Sequence, residues 1–526
     1  MKVLVSDVLG EIGIQMFQAE DGIEVDVQTD LSPEELKGII GAYDALVIRS
    51  ATKVTKDLLE AADNLKVIGR AGIGLDNVDI PAATQHGVAV MNTPGGNVVT
   101  TAEHTIAMMM ALTRNIPRGT ATLKDGRWEK KKLQGREVFE KVLGVIGYGK
   151  IGSIVANRAR GLKMQVIMHD PYVTSERIEK DGYKSVSIDE LYQTADYITV
   201  HVPKLKETTG LIDRAAFEKM KPGVMLINCA RGGIVNETDL YEAITQGKVA
   251  GAALDVFETE PPGDLPLFKL DQVICTPHLG ASTREAQTNV AVAVAEQIID
   301  FLKNDTVRNA VNAPSVTGKL LEKLGPYLFL GEQIGTLQSQ LIEGPLTEVA
   351  IEYAGDFQDL DLSPVSIAAL KGILASHARD MVNFISAPAI AKERGIKVTE
   401  TISTESEDYL NLITMRVTTT EGKSTVAGTI FGKKEARIVR INTFRLEMIP
   451  DGHLALIHNI DKPGSIGQIG TILGKKNINI NRMQVGQEED GDHNIIFLCT
   501  DKPILPDVAE EIQDSPLVKT VTPLEL

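Results

Sequence analysis

The sequence predicts an α/β protein with two doubly wound parallel-sheet lobes and a smaller α+β tail. Three observations predict it. Short β-branched runs alternate with helical patterns over the first 310 residues. One such run ends in a glycine-rich turn that opens a helix. The texture then changes after Val311-Asn312-Ala313-Pro314, towards Thr, Glu and Gly.

The first observation rests on Val3–Ser6, Ala45–Arg49, Lys66–Gly69, Val88–Met91, Val142–Ile146, Gln165–His169, Tyr197–Val200, Val224–Asn228 and Val273–Cys275. Near-continuous apolar runs between helices are the mark of strands buried on both faces of a parallel sheet. Long helical patterns follow Asn97, to Leu112, and Ser282, over Ala286–Phe301. They read as hinges, so the first lobe is expected to be discontinuous, 1–97 with 282–310, around a second lobe at 98–281. The tail divides at about 450. Its last 75 or so residues read strand, loop, helix, strand through His453–Asn459, Ile466–Lys475 and Ile478–Val485, a small α+β unit.

Composition narrows the function. A 526-residue chain with 43% apolar residues can bury several cores. A net charge of -17 repels a phosphate polymer or an anionic bilayer, so neither nucleic acid nor membrane is an expected partner. Cys229, Cys275 and Cys499 have neither disulfide-framework nor zinc spacing, and no metal is expected. The early Asp7 interrupts any signal-peptide core, and the apolar stretch near Ile106–Leu112 is too short to span a bilayer. A soluble cytoplasmic protein is the expectation.

The glycine turn is Gly147-Tyr148-Gly149-Lys150-Ile151-Gly152. The first glycine permits a tight turn, the second lets backbone approach a pyrophosphate, and the third lets helix and strand pack closely. The helix N-terminus offers free N–H groups to the phosphates. Asp170 ends the next strand at the offset of a ribose-binding acid, which favours NAD over NADP. Followed by Pro171, it would also serve as a turn residue.

Three polar residues follow strands in the second lobe: Arg231, Glu260 and His278. Ligands of open α/β sheets bind beyond the carboxyl ends of strands, so the three are candidates for one crevice. Oxidising a hydroxyl needs a base with a pKa near neutrality, and histidine supplies it. A carboxylate beside the imidazole fixes its tautomer, and an arginine clamps a substrate carboxylate. His104, His169 and His201 compete with His278, Glu258 competes with Glu260, and Arg231 could instead pair with an interdomain carboxylate.

These stretches, with Gly69-Arg70-Ala71-Gly72, Asp76-Asn77-Val78-Asp79 and Val90-Met91-Asn92-Thr93-Pro94, resemble the D-isomer-specific 2-hydroxyacid dehydrogenases. The likeness is strongest to the long phosphoglycerate-oxidising members. It implies a Rossmann nucleotide-binding lobe, a flavodoxin-like substrate lobe, an intervening domain over 311–450 and an ACT domain over 451–526. It implies His278 as acid/base, Glu260 as its partner and Arg231 as substrate clamp. Lys150 and Ile151 would line the pyrophosphate of NAD and Cys229 and Asp255 would border its nicotinamide side, with Ala230, Arg231, His278, Gly280 and Ala281 also binding the cofactor. Ile73 departs from relatives that carry a hydroxyl there.

The resemblance places 3-phospho-D-glycerate at Arg49, Ser50, Arg70 and Asn97. A phosphorylated substrate needs cations besides Arg231. One of Lys130, Lys131 and Lys132 would reach a neighbouring subunit's site, and a homodimer or homotetramer is expected, with the arm near Ile116–Leu133 as its contact. In the tail, Asn459, Asp461 and Asn479 would hold L-serine as effector; on the residues alone they equally make a turn and its cap. A glyoxylate or hydroxypyruvate reductase, which would not need Arg49 and Arg70, is an alternative. So is a non-catalytic NAD(H)-sensing protein.

Overall fold

The computed structural model describes residues 1–526 apart from 305, 315–318, 358–359, 376–381, 406–407, 433 and 488–492. Five parallel strands form the first sheet: β1 (Lys2–Val5), β2 (Glu24–Val27), β3 (Ala45–Ile48), β4 (Val67–Arg70) and β5 (Ala89–Asn92), in the order β2-β1-β3-β4-β5. The inner strands are buried on both faces, as their unbroken apolar runs require. The strand missed in the sequence, β2, lies at the edge, where only one neighbour pairs with it and charged residues are tolerated.

Seven parallel strands form the second sheet: β6 (Val142–Ile146), β7 (Gln165–His169), β8 (Lys184–Ser185), β9 (Tyr197–Val200), β10 (Val224–Asn228), β11 (Val249–Leu254) and β12 (Val273–Cys275). Their order is β12-β11-β10-β9-β6-β7-β8, so the direction of winding reverses beside β6. A crevice opens where strand order reverses, and the glycine turn follows β6.

Helix α1 (Val98–Thr113) packs Ala102, Met108, Met109 and Leu112 on the second sheet. After the glycine turn comes α2 (Lys150–Gly161). Helix α3 (Arg284–Asn304) packs Val290, Ala291, Val294, Ala295 and Ile298 on the first sheet. The chain therefore crosses between lobes at Asn97 and again near Thr283. The crossings adjoin, with Thr100 and Thr283 hydroxyls 3.4 Å apart.

The tail strands are β13 (Leu346–Gly355), β14 (Lys397–Ser403), β15 (Asn411–Thr419), β16 (Lys423–Phe431), β17 (Glu435–Ile441), β18 (Phe444–Met448), β19 (His453–Ile460), β20 (Ile480–Gln487), β21 (His493–Thr500) and β22 (Val518–Glu525). The last four make an antiparallel sheet, while β13 pairs parallel with β14 and antiparallel with β15. The sequence read two separate units here. The structure joins them into one ten-stranded sheet through β18 and β20. Leu454, Leu456, Ile495, Phe497 and Leu524 of the terminal unit enter the core of the preceding one. The physical reason is that the terminal helices cover only the other face, at Ala455, Ile457, Ile496 and Leu498. The bare face needs apolar cover. Among the described residues, no helix is long and apolar enough to cross a membrane.

Candidate active site

A cleft of about 950 Å³ lies between the two lobes, at the carboxyl ends of both sheets. The sequence placed its nucleotide site on one turn, and the glycines there sort by what surrounds them. Gly147 has φ +97°, which favours glycine, and a side chain there would press on the His201 carbonyl. A Cβ on Gly152 would run into the Gly147 carbonyl oxygen. A Cβ on Gly149 would meet nothing within 4 Å. The first and third glycines thus close the turn and pack the helix, and the middle one borders open space. That is the division of labour a pyrophosphate needs, so the residues present fit NAD. Gly149 caps α2, and Lys150 and Ile151 line the cleft with it.

Asp170 serves the turn and remains able to serve a ribose. Its Oδ2 accepts the Tyr148 N–H at 2.7 Å and its Oδ1 the Tyr172 N–H at 2.8 Å. A carboxylate has about four acceptor positions, so two stay open.

The chemical groups meet on the second lobe's wall. Nδ1 of His278 lies 2.7 Å from Oε2 of Glu260. A carboxylate only accepts, so Nδ1 carries the hydrogen and Nε2 is left for a substrate proton. Glu260 is held in turn by the Phe257 N–H, at 3.1 Å on Oε1. His278 adopts φ +53°, an uncommon conformation for a residue with a Cβ. Asp255 supports it: the His278 N–H donates to the Asp255 carbonyl at 2.9 Å. The buried Asp255 carboxylate accepts the Leu279 and Gly280 N–H groups at 2.7 and 2.8 Å, and the Thr276 hydroxyl. Burial pushes that carboxyl up, but hydrogen bonds from His104, Thr276 and Leu279 outweigh it and hold it below the usual range. Asp255 lines the cleft, yet its carboxylate oxygens are turned into the loop that carries His278.

The competing residues separate cleanly. His104 lies 3.2 Å from both Thr276 and Asp255 and braces the loop. His169 bonds the Val186 carbonyl. Burial drives His201 down to about 3, so it stays neutral. The Glu258 N–H donates to Glu237, and its carboxylate has no bond to the imidazole. Cys229 and Ala230 line the cleft; burial, then Asp255, push the Cys229 thiol up to about 12. Gly280 and Ala281 line the same wall.

Arg231 pairs with an interdomain carboxylate, one of its two readings. Its Nε lies 3.0 Å from Oδ2 of Asp76, across the cleft on the first lobe, and its Nη1 donates to the Ala230 carbonyl at 2.7 Å. Asp76 stood in a sequence motif but had been given no role. Gly74 lies against Nη2 of Arg231, which a Cβ would displace.

Ser50, Arg70 and Asn97 line the first lobe's wall. Arg70 Nε and Asn97 Oδ1 are buried with no hydrogen-bond partner, one donor and one acceptor left open. Burial, then the charges of Arg231 and Arg49, pull the Arg70 guanidinium down to about 10, still cationic at neutral pH. Arg49 is placed differently from the expectation. It is absent from the cleft lining, and its Nη1 donates to the Val8 carbonyl at 3.2 Å. Asp7 takes its N–H at 2.6 Å and so fixes its backbone. Lys53, which the sequence reading passed over, does line the cleft. So does Ile73, with no hydroxyl to offer. Lys132 pairs with Glu129 on the exposed arm.

The tail residues do not converge within one chain. Asn459 is buried near the end of β19, where Ile460 pairs with His493. Asn479 precedes β20, where Ile480 pairs with Thr500. At ~3.3 Å per residue, β21 sets these ends about 23 Å apart. Asn459 Nδ2 bonds the Ser465 hydroxyl at 2.9 Å while its Oδ1 is buried without a partner. Asp461 is exposed in the following turn.

Comparison with known proteins agrees with this geometry. Residues 106–280 match the D-isomer specific 2-hydroxyacid dehydrogenase NAD binding domain. Residues 323–442 match the D-3-phosphoglycerate dehydrogenase intervening domain, and residues 453–516 the ACT domain. The D-3-phosphoglycerate dehydrogenase of Archaeoglobus fulgidus is 46% identical over 515 residues, 97% of each chain. That of Bacillus subtilis is 44% identical over 525 residues, covering 100% of this chain and 99% of the relative. Among solved structures, the NAD complex of Staphylococcus aureus formate dehydrogenase is 30% identical with a TM-score of 0.55, over 60% of this chain and 100% of that one. Aquifex aeolicus D-lactate dehydrogenase with NAD and lactic acid matches with the same values. With its cleft, its intervening domain and its ACT domain all accounted for, the chain belongs to the D-3-phosphoglycerate dehydrogenase family.

Proposed function

We propose that the protein oxidises 3-phospho-D-glycerate to 3-phosphooxypyruvate with NAD, the first step of L-serine biosynthesis, and that L-serine inhibits it. The observation that carries the reading is the Glu260–His278 pair on one wall of a cleft whose other wall presents Arg70. Residues 98–281 form the nucleotide lobe and residues 1–97 with 282–310 the substrate lobe. Gly147, Gly149, Lys150, Ile151, Gly152 and Asp170 hold NAD, which when bound supplies the acceptor for the hydride leaving C2. Arg231 binds the substrate carboxylate and orients C2 towards that acceptor. Nε2 of His278 takes the hydroxyl proton, and Glu260 stabilises the imidazolium that forms.

Arg70, Ser50 and Asn97 hold the phosphorylated end. The exposed arm side chains Ile116, Leu123 and Trp128 suit a contact between two copies, which would bring one of Lys130, Lys131 and Lys132 to the neighbour's cleft. Two terminal units side by side would likewise join Asn459 and Asp461 of one copy to Asn479 of the other around L-serine. The test is NADH formation from 3-phospho-D-glycerate, with Arg70→Ala alongside. The variant is expected to raise KM for phosphoglycerate at least tenfold more than for an unphosphorylated 2-hydroxy acid. Equal effects on both substrates remove the phosphate role.

A further inference from the structure

A phosphate monoester at neutral pH carries close to two negative charges, and one half-buried guanidinium balances only part of that. Arg49 lies outside the cleft lining, with Nη1 donating to the Val8 carbonyl. The wall that carries Ser50 and Arg70 offers a second cation of its own. Lys53 is on that wall.

Two features set Lys53 apart. The first is its freedom from counter-ions. Residues 1–97 hold five lysines. Lys2 pairs with Glu24, Lys37 with Asp57, Lys56 with Glu60 and Lys66 with Asp44. Among the described residues, Lys53 has no carboxylate within ion-pair distance. Lys53 lines the cleft instead.

The second feature is the rigidity of its support. Before Lys53, the Thr52 N–H and hydroxyl donate to Asp7 at 3.1 and 2.7 Å. Asn77 Nδ2 donates to the Thr52 carbonyl at 2.6 Å and to the Arg49 carbonyl at 2.8 Å. After Lys53, Val54 pairs with Val78 in a parallel bridge, its N–H donating to the Asn77 carbonyl at 2.8 Å. The backbone is thus held on both sides of a side chain that is itself unattached. With the backbone already fixed, only the side chain remains to be ordered on meeting a ligand.

We propose that Lys53 binds the substrate phosphate and, with Arg70, selects the phosphorylated acid over its unphosphorylated counterpart. The ammonium supplies a point charge with three donors, complementing the planar guanidinium of Arg70. This inference rests on the phosphoglycerate reading above.

The full-length enzyme with Lys53→Met and Lys53→Arg tests it. Three quantities are compared: KM for 3-phospho-D-glycerate, the inhibition constant of D-glycerate against that substrate, and KM for NAD. Lys53→Met is expected to raise KM for phosphoglycerate about tenfold or more and to leave the other two within twofold. Lys53→Arg is expected to restore most of the loss, because the charge and not the packing is what matters. Unchanged KM in Lys53→Met, a parallel rise for D-glycerate, or no rescue by arginine overturns the assignment. A wild-type enzyme that binds D-glycerate as well as phosphoglycerate overturns the phosphoglycerate reading itself, and Lys53 with it.

Discussion

Asp76 and Arg231, 155 residues apart in the chain, meet across the cleft with Oδ2 and Nε 3.0 Å apart. The contact joins the substrate lobe to the nucleotide lobe at the residue proposed to clamp the substrate. It also places a negative charge beside guanidiniums that repel each other, since Arg231 and Arg49 both weigh on Arg70. Removing it in Asp76→Ala frees Nε and lets the arginine turn. The expected outcome is a fall of roughly tenfold in kcat/KM for the hydroxy acid, equivalent to about 1.4 kcal/mol, with KM for NAD unchanged. Steady-state kinetics with each substrate varied in turn checks it.

His278 and Glu260 should behave unequally. Losing the base in His278→Asn costs about 10²–10⁴ in kcat, the usual contribution of a positioned proton acceptor. Glu260→Gln keeps a side chain of the same shape but removes the charge behind the imidazolium, so a smaller loss is expected. NADH binding, read by the fluorescence of the bound cofactor, should survive in both. A Glu260→Gln enzyme with full kcat would remove that carboxylate from the mechanism.

The glycine turn makes a paired prediction. Gly152→Ala forces a Cβ against the Gly147 carbonyl and should lower the melting temperature as well as NAD affinity. Gly149→Ala adds a Cβ where the protein has nothing within 4 Å, so folding should be unaffected while NAD affinity falls. Calorimetry with and without NAD separates the two.

Asp255 predicts a pH-dependent stability. Its folded-state carboxyl is held below the ordinary range. It therefore adds stability above the unfolded value, about 3.9, and loses that contribution as pH falls through the lower folded value. Asp255→Asn strips charge-assisted bonds from Leu279, Gly280 and Thr276, worth roughly 1.5–3 kcal/mol each in general. At pH 7 the melting temperature should drop by several degrees. The gap from wild type should narrow as pH is lowered beneath about 4.

L-serine should inhibit the enzyme and raise its melting temperature at millimolar concentration. Because Asn459 and Asn479 lie at opposite ends of one sheet, the effect should need two copies. Light scattering with increasing serine, on wild type and Asp461→Ala, tests the pairing. Undiminished inhibition of the variant would exclude Asp461 from the effector site.

Much of this protein was legible in its sequence because the signals were local. Buried parallel strands advertise themselves as unbroken apolar runs, which is why β6, β7, β9 and β10 stand where the runs ended. A glycine forced to φ +97° and another pressed on a carbonyl leave their requirement at fixed spacing in the chain. Arg231, Glu260 and His278 follow strands whose ends must face one crevice. What only the tertiary structure decided depends on contacts between distant segments. Arg49 and Lys53 are four residues apart, and nothing local says that one turns to Val8 while the other faces the cleft. Asp76 gains its role only when two lobes meet. The tail shows the same limit: whether two units stand apart or share a ten-stranded sheet depends on which apolar face finds cover, and that is settled between segments, not within them.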